Sequence, residues 1–188
     1  DAVVVEKHDV VAVAGHDTFR RAELRRNRPS ARQRADFGLE VNTGTCDAPG
    51  YTLAVTPGLS GGIEFPMHVL QGPGKLGRTT THELAHEWFY ALVHDNQGRD
   101  PWIDEGLATY AEWLWAEHGG RGTTQEAFDF WYGAIPADDP FWTLPIGDPG
   151  PSFLFEFPVY TRGAMTVHQL RLAIGDRDFF RILRGLVK

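Results

Sequence analysis

The sequence predicts an α+β fold, a sheet lobe over residues 1–77 followed by a helical lobe over residues 78–188. Apolar residues recur with strand periodicity before residue 79 and with helix periodicity after it. Hydrophobic content of 42%, including 23 aromatic side chains, is enough for one packed core in a chain of 188 residues.

The runs AVVV (residues 2–5) and VVAVA (10–14), separated by EKHD, read as two short buried strands joined by a turn. An Arg-rich stretch follows. Pro29 suits the first position of a helix over residues 30–43, which would end among Asn42, Gly44 and the turn residues Asp47 to Gly50. YTLAVTP then reads as a strand. GGIEFPMHVLQG reads as another, with Ile63, Phe65, Met67 and Val69 on its buried face and Glu64, Pro66 and His68 facing outward. Pro66 cannot donate to a ladder, which places that strand at a sheet edge. Helices are expected over 80–95, 101–118 with Asp100 as N-cap and Pro101 at N1, 123–132, 159–174, and from 176 onward. Between Gly133 and Pro158 lies a stretch rich in proline and aromatics, too long for a simple connector and read as a packed surface loop near a functional site.

Net charge is −7, yet seven arginines between Arg20 and Arg34 stand against only Glu23. That stretch is short and lacks interleaved aromatics, so it reads as a solvated helix face or a contact to another domain, and nucleic acid is not an expected partner. The acidic remainder favours cationic ligands. Cys46 stands alone, which rules out an intrachain disulfide. No run approaches the roughly 18 apolar residues of a membrane span, and the first 20 residues lack a signal-peptide pattern. The chain therefore reads as soluble, cytoplasmic or exported. It has no initiator Met and stops at FFRILRGLVK with apolar spacing still running, as a piece of a longer protein would.

Chemistry concentrates in THELAHEWFYALVHD, residues 81–95. His82 and His86 are four apart, so a helix stacks both imidazoles on one face, close enough for a single ion. Glu83 is displaced about 100° around the helix, toward a water on that ion rather than the ion itself. Imidazole and carboxylate suit zinc in a tetrahedral site with one open position, and a third ligand is then required. The competing reading is structural: Thr80 to Glu83 also spells a capping box, in which Glu83 returns a hydrogen bond to the helix start.

WIDEGLATYAEW begins 16 residues after His86 and places Glu105 beyond an 18-residue gap. HExxH, 18 residues, then Glu in a W-x-x-E-G context resembles the zinc aminopeptidases of the gluzincin clan, the group of alanyl aminopeptidases and leukotriene hydrolase. GGIEFP stands where those enzymes have G-x-M-E-N, HEWF follows their H-x-W continuation, and VYTRGA resembles V-Y-x-K-G-A; together the matches run in order over residues 61–171. The resemblance implies a thermolysin-like catalytic domain with His82, His86 and Glu105 holding one zinc ion, Glu83 as general base and Tyr160 as donor to the oxyanion. It also implies that Glu64, with Gly61 and Gly62, binds the amino end of a peptide substrate. Phe65 replaces the usual Asn. Those enzymes place this domain between others that wall the cleft, so contacts to flanking domains are expected. An endopeptidase or other zinc hydrolase without free-amine specificity, and a zinc-stabilised binding module without turnover, are the alternatives. The module is disfavoured because a structural zinc site closes its fourth position with His or Cys. For the imidazoles' second nitrogens, Glu112 and Thr109 are the candidate acceptors.

Overall fold

The computed structural model describes residues 2–6, 9–14, 17–18 and 51–187, apart from residue 76. The helix expected over residues 30–43 lies outside the described residues. The architecture is α+β, and the chain divides into two compact units, Asp1–Glu83 and Leu84–Lys188.

The first unit carries β1 (Ala2–Glu6), β2 (Asp9–Ala14), β3 (Asp17–Thr18), β4 (Tyr51–Val55), β5 (Gly62–Phe65) and β6 (His68–Gln71). They form one sheet in the order β3-β2-β1-β4-β6-β5. β1 and β2 pair antiparallel, as the two Val-rich runs suggested, with Val4 opposite Val11. β6 inserts beside β4 in parallel, Leu53 opposite Val69, and pairs antiparallel with β5 on its other side.

The single strand expected over residues 61–72 is instead a hairpin. Phe65 pairs with His68, leaving Pro66 and Met67 as the two-residue turn, with Met67 at φ 65°. Proline presets φ at the first turn position and lacks the N–H a continuing ladder would need, so the chain reverses there. The reversal changes which side chains share a face. Glu64 lies opposite Val69 and Gly62 opposite Gln71, and both Val69 and Gln71 are buried. The outward residues are Ile63 and Phe65, 38% and 49% exposed, whereas Glu64 is half-buried. The expected faces are therefore inverted in β5, whereas Val69 is buried and His68 exposed as expected, and His68 lies on the opposite face from Glu64. β5 does end the sheet order among the described residues, although Pro66 sits in the turn rather than in the strand.

Helix α1, Arg78–Ala85, follows. Its start at Arg78 places Thr80 inside the helix, where its hydroxyl donates to Gln71 Oε1 at 2.9 Å, while Thr81 donates back to Gly77 O at 3.0 Å. Neither threonine caps a helix beginning at Thr80, so the capping-box reading of Thr80–Glu83 fails.

In the second unit α1 stops ten residues short of expectation. Past Ala85 the ladder loses its period: Trp88 N–H donates to Ala85 O at 3.1 Å, three residues back, but Ala91 N–H to His86 O at 2.9 Å, five back. Tyr90 takes φ 131°. Consecutive aromatic side chains at residues 88–90 have modest helix propensity, and the Phe89 carbonyl is taken by the ring of His86 at 3.0 Å. Helices α2 (Trp102–His118), α3 (Thr124–Ala134), α4 (Phe157–Ile174) and α5 (Asp176–Leu186) lie within two residues of their expected starts. α3 has a full capping box: Thr123 Oγ1 accepts from Glu126 N–H at 3.0 Å and Glu126 Oε2 accepts from Thr123 N–H at 2.7 Å.

α2 is buried along most of its length against α4, and Tyr110, Trp113, Phe141, Ala164, Met165, Val167 and Phe179 form the core. The two helices cross at Gly106 and Gly163, where a Cβ on Gly106 would lie 2.8 Å from the Gly163 backbone. Glycine is required at that crossing because backbone meets backbone. The proline-rich segment contributes Phe141 to the core from a single 3₁₀ turn, Pro140–Trp142. Arg162 Nη1 clamps it by donating to Phe141 O and Leu144 O, both at 2.7 Å. Among the described residues no helix is long and apolar enough to cross a membrane.

Candidate metal centre

His82, His86 and Glu105 reach the same place by local means. The boundary between the two units falls within α1, after Glu83, and the helix backbone itself carries His82 one turn before His86. Glu105 stands in the first turn of α2, where a carboxylate is favoured by the helix dipole. One ligand-capable atom from each of the three lies within 4.8 Å of the others, and all three residues are buried.

His86 shows how the donors are set. Its Nδ1 faces the Phe89 carbonyl at 3.0 Å; a carbonyl only accepts, so Nδ1 carries the proton and donates. Nε2 is then the nitrogen on the side of Glu105, 3.4 Å from Oε2. Two ligand atoms each about 2.0–2.1 Å from a tetrahedral zinc stand about 3.4 Å apart, so this spacing fits such an ion. Fixing a ligating imidazole through its other N–H is the usual second contact of such sites. Here the acceptor is a backbone carbonyl three residues on, rather than Glu112 or Thr109. Sequence reasoning missed it because it depends on α1 ending early.

A second carboxylate layer was also missed. Asp104 is wholly buried, with Oδ1 accepting the Glu105 N–H at 2.8 Å. Burial, then the negative charges of Asp95 and Glu105, push its carboxyl up to about 7. Asp95 is likewise raised, chiefly by burial. The D-E-G triplet was the available signal.

Within the first unit, Glu83 is buried, and a carboxylate oxygen of Glu64 lies within 4.8 Å of one of Glu83. A Cβ added to Gly62 would overlap the Glu83 carboxylate, so that side chain lies against the bare backbone of β5. Gly61 precedes β5, and its carbonyl accepts from Gly72 N–H at 2.9 Å. Tyr160 is half-buried in the first turn of α4, one turn before Gly163 and hence near the crossing with Gly106, the neighbour of Glu105.

Residues 74–188 match the Peptidase family M1 domain. The chain belongs to the M1 peptidase family. Over 118 residues it is 29% identical to "Probable aminopeptidase 2" of Sulfurisphaera tokodaii, covering 56% of this chain and 14% of that protein. Over 37 residues it is 49% identical to aminopeptidase N of Oryctolagus cuniculus, covering 20% of this chain and 4% of that protein. The M1 zinc metallopeptidase of Deinococcus radiodurans, in a crystal structure with a Tyr-Ser-Ala substrate, has the same fold. Its TM-score is 0.69 at 24% identity, over 100% of this chain and 44% of that one. The M1 chain described here thus spans under half the length of the relatives it matches.

Proposed function

We propose that this chain is the zinc-binding catalytic part of a peptidase that removes N-terminal residues from peptides. The observation that carries the reading is the convergence of His82, His86 and Glu105 within 4.8 Å, with the His86 proton committed to Phe89. Membership of a family whose named relatives are aminopeptidases supports it.

A zinc ion held by these three side chains supplies Lewis acidity, polarising a peptide carbonyl and bringing the pKa of water toward about 7. The chain's own residues do the rest. Glu83, next in sequence to His82 and buried, takes a proton from the attacking water and hands it to the leaving amine. Tyr160 donates its hydroxyl to the oxyanion, a contact worth about 3–4 kcal/mol in other enzymes. Glu64 receives the substrate's ammonium: two carboxylates this close favour a cation beside them, and Glu64 supplies the second. β5, at the end of the sheet, with Gly61 and Gly62 leading into it, offers backbone to an extended peptide. Exposed Leu170, Leu172, Ile182 and Leu186 on α4 and α5 support contacts to further domains.

Release of a fluorophore from aminoacyl amides tests the activity. Glu83→Gln is expected to abolish turnover and keep zinc; a variant at full rate overturns the mechanism. The outward Phe65, in place of the usual Asn, favours one second reading, a zinc hydrolase without free-amine preference. Cleavage of N-acetylated peptides as fast as of unblocked ones would establish it and remove Glu64 from its role.

A further inference from the structure

The chain that leaves α1 folds back on His86, and one peptide unit carries the contact. Tyr90 N–H donates to Val93 O at 3.0 Å, while Phe89 O, at the other end of the same peptide, accepts from His86 Nδ1 at 3.0 Å. A trans peptide points its N–H and C=O in opposite directions, so the two bonds report one orientation of one plane. Val93 N–H closes back on Trp88 O at 2.8 Å and Ala91 N–H on His86 O at 2.9 Å, which gives that plane little room to turn. The orientation sets Tyr90 at φ 131°, where glycine goes freely and a residue with a Cβ goes only at a cost.

We propose that Tyr90 is a positioning residue of the metal centre: its positive φ turns the Phe89 carbonyl onto His86 Nδ1 and so commits Nε2 to the ion. The inference rests on the reading of His82, His86 and Glu105 as zinc ligands. The angle φ of Tyr90 is the rotation about its N–Cα bond, which joins the 89–90 peptide to the rest of the loop. A negative φ turns that peptide relative to residues 91–93, and then either the N–H leaves Val93 or the carbonyl leaves His86. Departure of the carbonyl removes the acceptor that holds the proton on Nδ1 and keeps Nε2, 3.4 Å from Glu105 Oε2, as the ligand nitrogen.

Backbone strain persists where the surroundings over-determine it, and it gathers at functional sites. Here the surroundings are the backbone bonds just named, the imidazole bond, and the Tyr90 ring itself. That ring packs edge-on against His86, with centroids 6.4 Å apart and planes at 84°, and His86 is 1% exposed. Substitutions at this position separate the contributions. Phenylalanine keeps the ring. Glycine carries the same backbone at lower cost without the ring, and alanine keeps the strain without the ring. Proline, locked near −65° and lacking an N–H, allows neither the φ nor the bond to Val93.

Tyr90→Phe, Tyr90→Gly, Tyr90→Ala and Tyr90→Pro in the full chain test this by urea unfolding without metal and by zinc competition with a chromogenic chelator, beside ¹⁵N spectra of the His86 ring in the metal-free unaltered chain. The folding constant of Tyr90→Gly is expected roughly tenfold above that of Tyr90→Ala, the reverse of the order these residues take inside a helix. Zinc should bind Tyr90→Phe and Tyr90→Gly within about threefold of the unaltered chain and Tyr90→Pro at least about tenfold more weakly. A merely structural residue would shift the unfolding curves and leave the zinc affinity of the folded chain alone. The ring should show the Nδ1–H tautomer. Tyr90→Gly no more stable than Tyr90→Ala, or an Nε2–H tautomer of His86, overturns the proposal whether or not Tyr90→Pro folds; so does a Tyr90→Pro chain that binds zinc as tightly as the unaltered one. An unaltered chain that takes up no zinc removes the metal-centre reading together with this proposal, whereas those other results remove the proposal alone.

Discussion

Gly106→Ala puts a methyl carbon 2.8 Å from the Cα and the carbonyl carbon of Gly163 and 3.2 Å from Ala164 N. Carbon atoms rest at about 3.5–4.0 Å, so α2 and α4 must part by roughly 0.7 Å or more, and none of the opposing atoms belongs to a side chain that could swing away. Overpacking of this kind costs about 1–3 kcal/mol, and a gap of that width forfeits a quarter to a half of each dispersion contact among Tyr110, Trp113, Ala164 and Met165. Against this stands a gain of about 1 kcal/mol from replacing glycine inside a helix. The net expectation is a loss of up to about 2 kcal/mol, or up to roughly 8 °C in melting temperature for a chain of this length. Gly133→Ala in α3 is the control: nothing lies within 4 Å of its Cβ, so only the gain of up to about 1 kcal/mol remains. Urea unfolding followed by circular dichroism measures both variants. If Gly106→Ala is as stable as Gly133→Ala, the close crossing of α2 and α4 is refuted.

Thr123→Ala removes the side-chain half of the α3 capping box, the Oγ1 that accepts from Glu126 N–H, while the Thr123 N–H still donates to Glu126, and should cost about 1 kcal/mol, read from the same unfolding curves. Arg162→Met removes two charge-assisted bonds to the carbonyls of Phe141 and Leu144; a loss of about 2–4 kcal/mol is expected, with limited proteolysis appearing between residues 136 and 156. Arg171 is held by Asp176 first and by Tyr110 and Glu117 besides, so Arg171→Met should destabilise more than Asp176→Asn, because only the former leaves partly buried Glu117 without its cation. Equal effects of those two substitutions would contradict that ranking.

The helices were legible because their signals are local. Thr123 with Glu126, Pro158 at the start of α4 and Gly175 between α4 and α5 mark ends that neighbouring residues decide. The closeness of His82, His86 and Glu105 was legible for a related reason: a helix fixes what His82 and His86 can do together, and the resemblance supplied Glu105. Errors fell where non-local contacts decide. Pro66 was read as an edge residue within one strand, and the hairpin it opens inverts the faces of Ile63, Glu64 and Phe65. The early end of α1 depends on the ring of His86 capturing the Phe89 carbonyl, which no periodicity reveals. The setting of His168 is not legible in the sequence because its partners lie 58 and 43 residues away.

Zinc titration of the purified chain by equilibrium competition with a chromogenic chelator, side by side with Glu105→Ala and Glu83→Gln, tests the metal assignment most directly. One ion per chain is expected in the unaltered protein and in Glu83→Gln, with affinity reduced at least about a hundredfold in Glu105→Ala. If Glu105→Ala holds zinc as tightly as the unaltered chain, the three-residue centre does not exist as described.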